Sequence, residues 1–257
     1  MHDLLWYQYG LIAIIFTWSG VVRSGLGFGG AVFSLPFLLM IVNDPLIWLP
    51  LISVHLLFFS ALTVIQNYKK SSNSNNPTTS TINWQYLRYA FAIIIIPKMI
   101  GVFGLITLAP ELLSGIIFLI VAVYSTTYIF NKTLSSKSKS LDIIFLMLGG
   151  YISGTSLIGA PLIIAVLANH INRYQLRDSL FVLWFVLVSI KMTAFIYVGI
   201  DLQLIHHLWL LPAAGVGHII GLRIHTKVLE SDPKLFYRGL GIILFGLSAF
   251  GLWRNLH

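Results

Sequence analysis

SGLGFGGA (Ser24–Ala31) and SGTSLIGA (Ser153–Ala160) are the two stretches that decide how this chain is read. Each has Ser-Gly, four intervening residues and then Gly-Ala; each interrupts an apolar stretch and precedes three further long apolar segments. A second echo lies in the third long segment of each half, where Lys98-x-x-Gly101 matches His218-x-x-Gly221. Two echoes at matching places predict an internal repeat.

Around these stretches the chain is almost entirely apolar. Of 257 residues, 57% are hydrophobic and only 9% are Asp, Glu, Lys or Arg, and the mean hydropathy is +0.87. A soluble domain covers its surface with about a quarter ionic residues. Several apolar runs also reach the roughly 18–20 residues that cross a bilayer's hydrocarbon core. The fold class is therefore an all-α polytopic membrane protein. The absence of cysteine excludes disulfides, haem attachment through Cys and thiolate metal sites. Only Met1, His2 and Asp3 precede the first apolar run, so it lacks a basic leader and is expected to belong to the mature fold. A net charge of +8 reads as topology rather than nucleic-acid binding, because most Lys and Arg lie between apolar segments.

Apolar segments run at 5–22, 28–42, 45–66, 86–107, 111–130, 142–152, 158–169, 179–199, 205–222 and 235–253. Polar linkers at 67–83 and 131–140 separate them, the second dividing the chain nearly in half. The expected organisation is a first transmembrane repeat over 1–131, a cytoplasmic linker over 132–140 and a second repeat over 141–257. Basic residues mark four loops: Lys69 and Lys70; Lys132, Lys137 and Lys139; Arg173 and Arg177; Arg223, Lys227, Lys234 and Arg238. If all four are cytoplasmic, segment 142–169 begins and ends inside as a re-entrant hairpin broken at Gly154–Gly159. The same logic makes 5–42 a hairpin from the opposite side, broken at Gly25–Gly30. Each half becomes a broken hairpin plus three transmembrane helices, the inverted-repeat plan of secondary transporters. A kinked single span in each half is the competing reading, and it puts the Arg173/Arg177 loop outside.

Non-helical backbone inside a bilayer must be buried in protein or line a wet cavity. Gly25, Gly27, Gly29 and Gly30 permit such a break. Half-helices starting near Gly29 and near Gly159, with Pro161 in the first turn, would aim free amides inward as anion sites. Close helix packing is the plainer use of the same glycines. Arg23 immediately precedes the first break, and a guanidinium suits an oxyanion; if 5–22 is a complete span, Arg23 is only a cytoplasmic flank. Lys98 and Lys191 lie in mid-span, where an isolated ammonium costs at least about 2.5–3.5 kcal/mol and so implies a partner or a wet cavity. Pro97 opens the helix beside Lys98. His55 and His218 are also central in their spans, as structural residues or as proton-coupling groups, whereas His206 and His207 fall at a span start. All eight carboxylates (Asp3, Asp44, Glu111, Asp142, Asp178, Asp201, Glu230, Asp232) fall at segment ends or in loops. The deep cations thus lack an obvious protein counter-ion, and a bound anion is the natural ligand.

SGLGFGGAVFSLPFLL, GGYISGTSLIGAPLIIAVL, the Lys191 span and GVGHIIG together resemble the TauE/SafE sulfite exporter family, also called the toluene sulfonate uptake permease family. The resemblance covers nearly the whole chain. It implies a multi-pass transporter of the bacterial inner membrane with an internal duplication, carrying sulfite, sulfonates or related anions. Phe28 stands where family sequences often have a glycine, and Lys98 where they have a small residue. That lysine would meet a second anionic group, such as a carboxylate beside a sulfonate.

The leading reading is export of a small sulfur-containing anion by alternating access around the two breaks. Arg23, Lys98 and Lys191 would bind charge. Ser24, Ser153, Thr155 and Ser156 would donate hydrogen bonds, and amides from Gly25 to Gly30 and from Thr155 to Gly159 would complete the cradle. An anion channel and an importer of organosulfonates are the alternatives. An enzyme is disfavoured, since no HExxH motif or intramembrane carboxylate pair occurs, although Ser189 and Ser153 leave a Ser–Lys dyad formally open. No cofactor or metal is expected. The expected partners are a small organic or inorganic anion and the lipid bilayer, not nucleic acid, with homodimerisation left open.

Overall fold

The computed structural model describes residues 4–26, 29–72, 82–132, 134–230 and 234–256, with side chains for all of these except 68–72, 173–174, 225–230, 234–236 and 256. Gly27 and Phe28 of the first break therefore lie outside the described residues, as do the side chains of Lys69, Lys70, Arg173, Lys227 and Lys234. Among the described residues every regular element is helical.

The helices are α1 (Trp6–Leu26), α2 (Leu35–Ile41), α3 (Pro45–Ser72), α4 (Trp84–Thr107), α5 (Pro110–Ile129), α6 (Lys139–Ser156), α7 (Ala160–His170), α8 (Arg173–Val198), α9 (His207–Glu230) and α10 (Lys234–Leu256). A single 3₁₀ turn, Leu204–His206, leads into α9. Among the described residues six helices are long and apolar enough to cross a bilayer: α1, α3, α4, α5, α8 and α9. By contrast α7, at 11 residues, spans only about 16 Å at ~1.5 Å per residue, roughly half the hydrocarbon core.

Burial in these spans runs opposite to a soluble protein. On α4 the buried stripe is Leu87, Ala90, Ile94, Lys98, Gly101 and Leu105, at helical spacing, whereas Ile96, Ile100 and Phe103 are exposed. The polar group faces inward and the aliphatic groups outward, as lipid requires. On α8 likewise, Leu180, Trp184, Leu187, Lys191 and Phe195 form one buried stripe.

The chain divides into two compact units, each assembled from both halves of the sequence. The first comprises Met1–Ile52, Thr107–Leu134 and Ile200–His257; the second comprises Ser53–Ile106 and Ser135–Gly199. In the first unit α1 packs along α9 and α5 along α10. Glycine makes the α1–α9 approach possible: a side chain on Gly217 would run into the Thr17 carbonyl, and one on Gly221 would lie 2.9 Å from Ser24 Cβ. Arg254 donates from its two terminal nitrogens to the Met40 carbonyl at 3.1 Å and the Leu39 carbonyl at 2.7 Å, capping the end of α2.

In the second unit α4 packs on α6 by the same device. A Cβ on Gly154 would stand 2.5 Å from the Lys98 carbonyl oxygen, and one on Gly150 2.8 Å from that of Ile94. The α7 helix runs back beside α6, since Gly149 meets Ile163 and Leu162, residues that a continuous helix would carry about 20 Å away.

The breaks fall close to the glycine clusters, with one shift. The second half-helix begins at Ala160, with Gly159 as its N-cap and Pro161 in its first turn. The first begins not near Gly29 but at Leu35, behind Ser34 and with Pro36 in its first turn. Gly29 has a φ of +86°, which only glycine adopts without strain. Turns carried by Phe33 N–H to Gly29 O and Leu35 N–H to Ala31 O then occupy the intervening residues.

Two glycines two residues apart on α9 separate packing from propensity. The space at Gly217 is filled by Thr17, while at Gly215 no atom lies within 4 Å of the point a methyl group would occupy. Gly217→Ala is expected to destabilise by about 1–3 kcal/mol through overpacking. Gly215→Ala is expected to be neutral or to gain up to ~1 kcal/mol from helix propensity. Thermal melts of the two purified variants in detergent check the contrast.

Candidate anion-binding residues in the two units

In the first unit, the last turns of α1 carry Arg23, Ser24 and Gly25, all buried. Ser24 Oγ shares a 2.6 Å hydrogen bond with His218 Nδ1 of α9. The chain after the break folds back on the same helix: Ser19 Oγ donates to the Gly30 carbonyl at 3.1 Å, as does Ser34 Oγ. A side chain on Gly30 would meet Ser19 Oγ at 3.0 Å and Arg23 Cβ at 3.2 Å. Arg23, Ser24, Gly29, Gly30 and His218 therefore belong to one buried neighbourhood, and its cation is Arg23.

In the second unit, Lys98 and Lys191 are each 0% exposed. Lys98 Nζ donates to the Ser153 carbonyl and to Ser153 Oγ, each at 3.1 Å. Lys191 Nζ has no hydrogen-bond partner among the described residues. The carboxylates of this unit are Asp142 and Asp178, and both are engaged elsewhere. Asp142 pairs with His170 Nε2 at 2.9 Å, and Asp178 Oδ1 accepts from Asn67 Nδ2 at 2.7 Å. Thirteen residues of helix separate Asp178 from Lys191, about 20 Å along the axis.

Ser24 facing His218 and Ser153 facing Lys98 are similar contacts, one in each unit. In each, a Ser-Gly pair near the end of one helix opposes a basic residue that stands three positions before a glycine on a neighbouring helix.

Three of the expected cradle residues lie within helices. Gly25 lies within α1, and Thr155 and Ser156 form the last turn of α6. Their amides are inside helices, where N–H groups bond to carbonyls four residues back. The hydroxyls of Thr155 and Ser156 donate to the Ile152 carbonyl at 3.1 and 2.9 Å. Gly159 sits at the head of α7 but is packed against Gly149 and Ser153 of α6. His55 is buried on α3 in the second unit, its ring stacked on Phe59 at 6.5 Å. His207 is held at the start of α9 by the Leu202 carbonyl, 3.3 Å from its Nε2.

The Asp142–His170 pair is a feature that sequence inspection did not single out. It joins the first turn of α6 to the last residue of α7, and Tyr86 stacks on the His170 ring at 4.7 Å. Asn169 Nδ2 adds a bond to the Ser136 carbonyl at 2.8 Å. The hairpin is thus pinned at its open end. A carboxylate and an imidazole at the ends of two apolar segments separated by a break are the signal that identifies such a pin.

Among the described residues no cluster of His, Asp or Glu is arranged to hold a metal. The features together define a polytopic, all-helical membrane protein with paired helix breaks and cations, not carboxylates, deep in its spans. The family model for the sulfite exporter TauE/SafE matches residues 11–251, and the chain belongs to that family, whose members are transporters. No curated protein and no solved structure matches it.

Ser24→Ala is expected to cost about 1–3 kcal/mol, because it removes a 2.6 Å hydrogen bond between two buried groups. Ser156→Ala removes only a bond to its own helix and should stay within about 0.5 kcal/mol. Chemical unfolding of both variants in detergent gives the comparison.

Proposed function

We propose that the chain is a secondary transporter exporting a small sulfur-containing anion, sulfite or a sulfonate, across the bacterial inner membrane. The observation that carries this reading is the set Arg23, Lys98 and Lys191: three buried basic residues in apolar helices, while the described carboxylates lie in loops or near helix ends. Burying a charge is unfavourable unless it is paired, and deep ionisable groups in membrane helices mark ion pathways. A sulfur oxyanion supplies the missing charge, and the family of the chain supports that chemistry.

Each unit is proposed to offer its own anion-binding residues. In one these are Arg23, Ser24 and the backbone at Gly29–Gly30; in the other, Lys98, Ser153 and Lys191, with Thr155, Ser156 and Gly159 shaping the hairpin around them. The repeated serine-to-base contact supports an internal duplication over 1–131 and 141–257 joined by 132–140. In an inverted repeat, alternating access follows from exchanging the roles of the two copies. His218 takes the place in the first unit that Lys98 has in the second. An imidazole there can change charge in the physiological range where an ammonium does not, which makes His218, with His55 as another buried imidazole, the group to couple flux to protons.

Proteoliposomes containing the purified protein are expected to show saturable uptake of radiolabelled sulfite or a sulfonate. Arg23→Ala and Lys98→Ala are each expected to reduce it by at least about ten-fold, a loss of one charge-assisted contact or more. Wild-type flux in both folded variants, or flux that never saturates, would sink the reading.

A further inference from the structure

We propose that Arg254 is a positioning residue for transport: it makes the half-helix α2 move with α10, and the groove between α10 and α1 is the space across which that movement runs. The proposal rests on the transporter reading above and concerns how the first unit changes shape.

Two helix pairs of the first unit are locked by glycine. On one side α1 meets α9, with Gly20 against the Ala214 carbonyl, Gly217 against that of Thr17 and Gly221 against that of Val21. On the other α5 meets α10, with Gly241 against Tyr128 and the Ser125 carbonyl, and Gly251 against the Phe118 ring. Interlocked surfaces of this kind resist relative movement, so each pair behaves as one body. Among the described residues α1 and α10 do not pack along one another. Between them lies an apolar groove of about 590 Å³, lined by Ile14 and Trp18 of α1, Phe37 of α2, and Gly239, Leu240 and Ile243 of α10. No neighbouring atom comes within 4 Å of the point a methyl group on Gly239 would occupy. The unit can therefore yield between the pairs rather than within them.

Helix α2 bridges the two pairs, and its bonds decide which one it follows. At its C-terminal end the Leu39 and Met40 carbonyls accept from the terminal nitrogens of Arg254 at 2.7 and 3.1 Å. Just beyond, Asn43 Nδ2 donates to Asn255 Oδ1 at 2.6 Å. The last carbonyls of a helix have no partner within it, and hydrocarbon offers none, so these bonds are costly to give up. Both donor and acceptor residues belong to the last turn of α10. Toward α1 the link is of another kind. It runs from Ser19 Oγ to the Gly30 carbonyl at 3.1 Å, several residues ahead of α2 and across the turns of Gly29–Ser34. One end of α2 is thus bonded directly to α10, and the other reaches α1 only through a stretch of turns.

The register of α10 joins these observations. Ile243 and Arg254 stand eleven positions apart, about three turns, so the groove wall and the arginine share one face of the helix. An approach of α10 toward α1 therefore carries α2 with it, and the displacement falls on Gly29–Ser34, the segment that lies against Ser19 and Arg23 of α1. The groove is apolar, so closing it strips no polar group of its partners. Arg254 directs both terminal nitrogens to main-chain carbonyls, and its part is accordingly to place α2.

The chain contains no cysteine, so pairs introduced along the groove can be linked selectively with a short bifunctional methanethiosulfonate. Saturable uptake of radiolabelled sulfite into proteoliposomes is measured before linking, after linking and after reduction. Ile14→Cys with Ile243→Cys ties α1 to α10, and linking is expected to lower the maximal rate by at least about ten-fold, reversibly, because the shape change is blocked. Phe37→Cys with Leu240→Cys ties α2 to α10, and the linked protein is expected to keep its rate within about two-fold, since those elements already move together. Full flux with α1 tied to α10, or lost flux with α2 tied to α10, would overturn the proposal. Arg254→Gln is expected to lower the maximal rate by at least about five-fold with half-saturation unchanged within about two-fold, as no substrate contact is lost. Arg254→Lys, whose ammonium can donate to both carbonyls, should recover at least about half of the rate. Tying Phe37→Cys to Leu240→Cys in the Arg254→Gln protein should also restore it, a covalent bond replacing the hydrogen bonds. Half-saturation raised about ten-fold at full maximal rate would make Arg254 a substrate contact and overturn its assignment, as would wild-type kinetics in Arg254→Gln. Should Arg254→Gln not fold, the two linked pairs decide, since both retain the arginine. If the wild type transports sulfite and the linked pairs behave alike, this inference fails while the transporter reading stands; if the wild type shows no saturable flux, both fail.

Discussion

The contact on which the second unit depends is glycine against carbonyl. Where Gly154 of α6 meets the Lys98 carbonyl of α4, a methyl group would stand 2.5 Å from the oxygen, so any side chain would force the helices apart. Lipid tails provide no hydrophobic drive for helices to associate, and close approach of small residues is what holds them. That approach also has a chemical effect. It brings a lysine ammonium within 3.1 Å of a main-chain carbonyl on the neighbouring helix. The first unit repeats the scheme with α1 and α9, where Gly217 and Gly221 admit the Thr17 and Val21 carbonyls and Ser24 meets His218. Packing and polarity are thus not separate layers of this protein.

The inverted burial pattern follows from the solvent. In water, burying Lys98 while exposing Ile96, Ile100 and Phe103 would be unstable on both counts. In a bilayer the aliphatic face is the solvated one, and the interior is the only place where a polar group finds a partner. The carboxylates obey the same rule from the other side. Asp142 and Asp178 stay near helix starts, where Asp142 has His170 and Asp178 has Asn67, and their negative charge also suits a helix N-terminus. Among the described residues, the buried ionisable groups in mid-span are therefore basic and the carboxylates lie in loops or near helix ends.

Much of this is legible in the residues alone. Lys98 and Lys191 announce themselves because a charge inside a long apolar run has a cost that must be met. The glycine clusters mark the breaks to within a few residues, and both Lys98 and His218 of the echo meet a serine of a Ser-Gly pair. What residue order cannot provide is the pairing across helices. Nothing in it says that α1 lies along α9, or that Ser153 rather than a ligand takes two of the Lys98 donors. The placement of Gly25, Thr155 and Ser156 is hidden for a related reason: glycine and hydroxyl residues signal that a break is near, but α6 continues through Ser156 before a left-handed Leu157 ends it. The late start of α2 at Leu35 likewise reflects turn hydrogen bonds from Gly29 and Ala31 that have no periodic signature.

The Asp142–His170 pair has a mechanical meaning. Helices α6 and α7 are tied at their free ends by the Asp142–His170 hydrogen bond, a ring stacked from α4 and a side-chain hydrogen bond from Asn169 to the preceding chain. Along their length they are tied by Gly149 against Ile163. A fork braced at both handle and shaft does not splay; it pivots as one piece or deforms at its tip. The tip here is Leu157–Gly159, a left-handed residue and a helix cap that are buried and bonded back to α6 through Leu157 N–H to the Ser153 carbonyl. The residue that receives the tip's hydrogen bond is thus the serine that grips Lys98, so the turn and the ammonium's contact share one anchor.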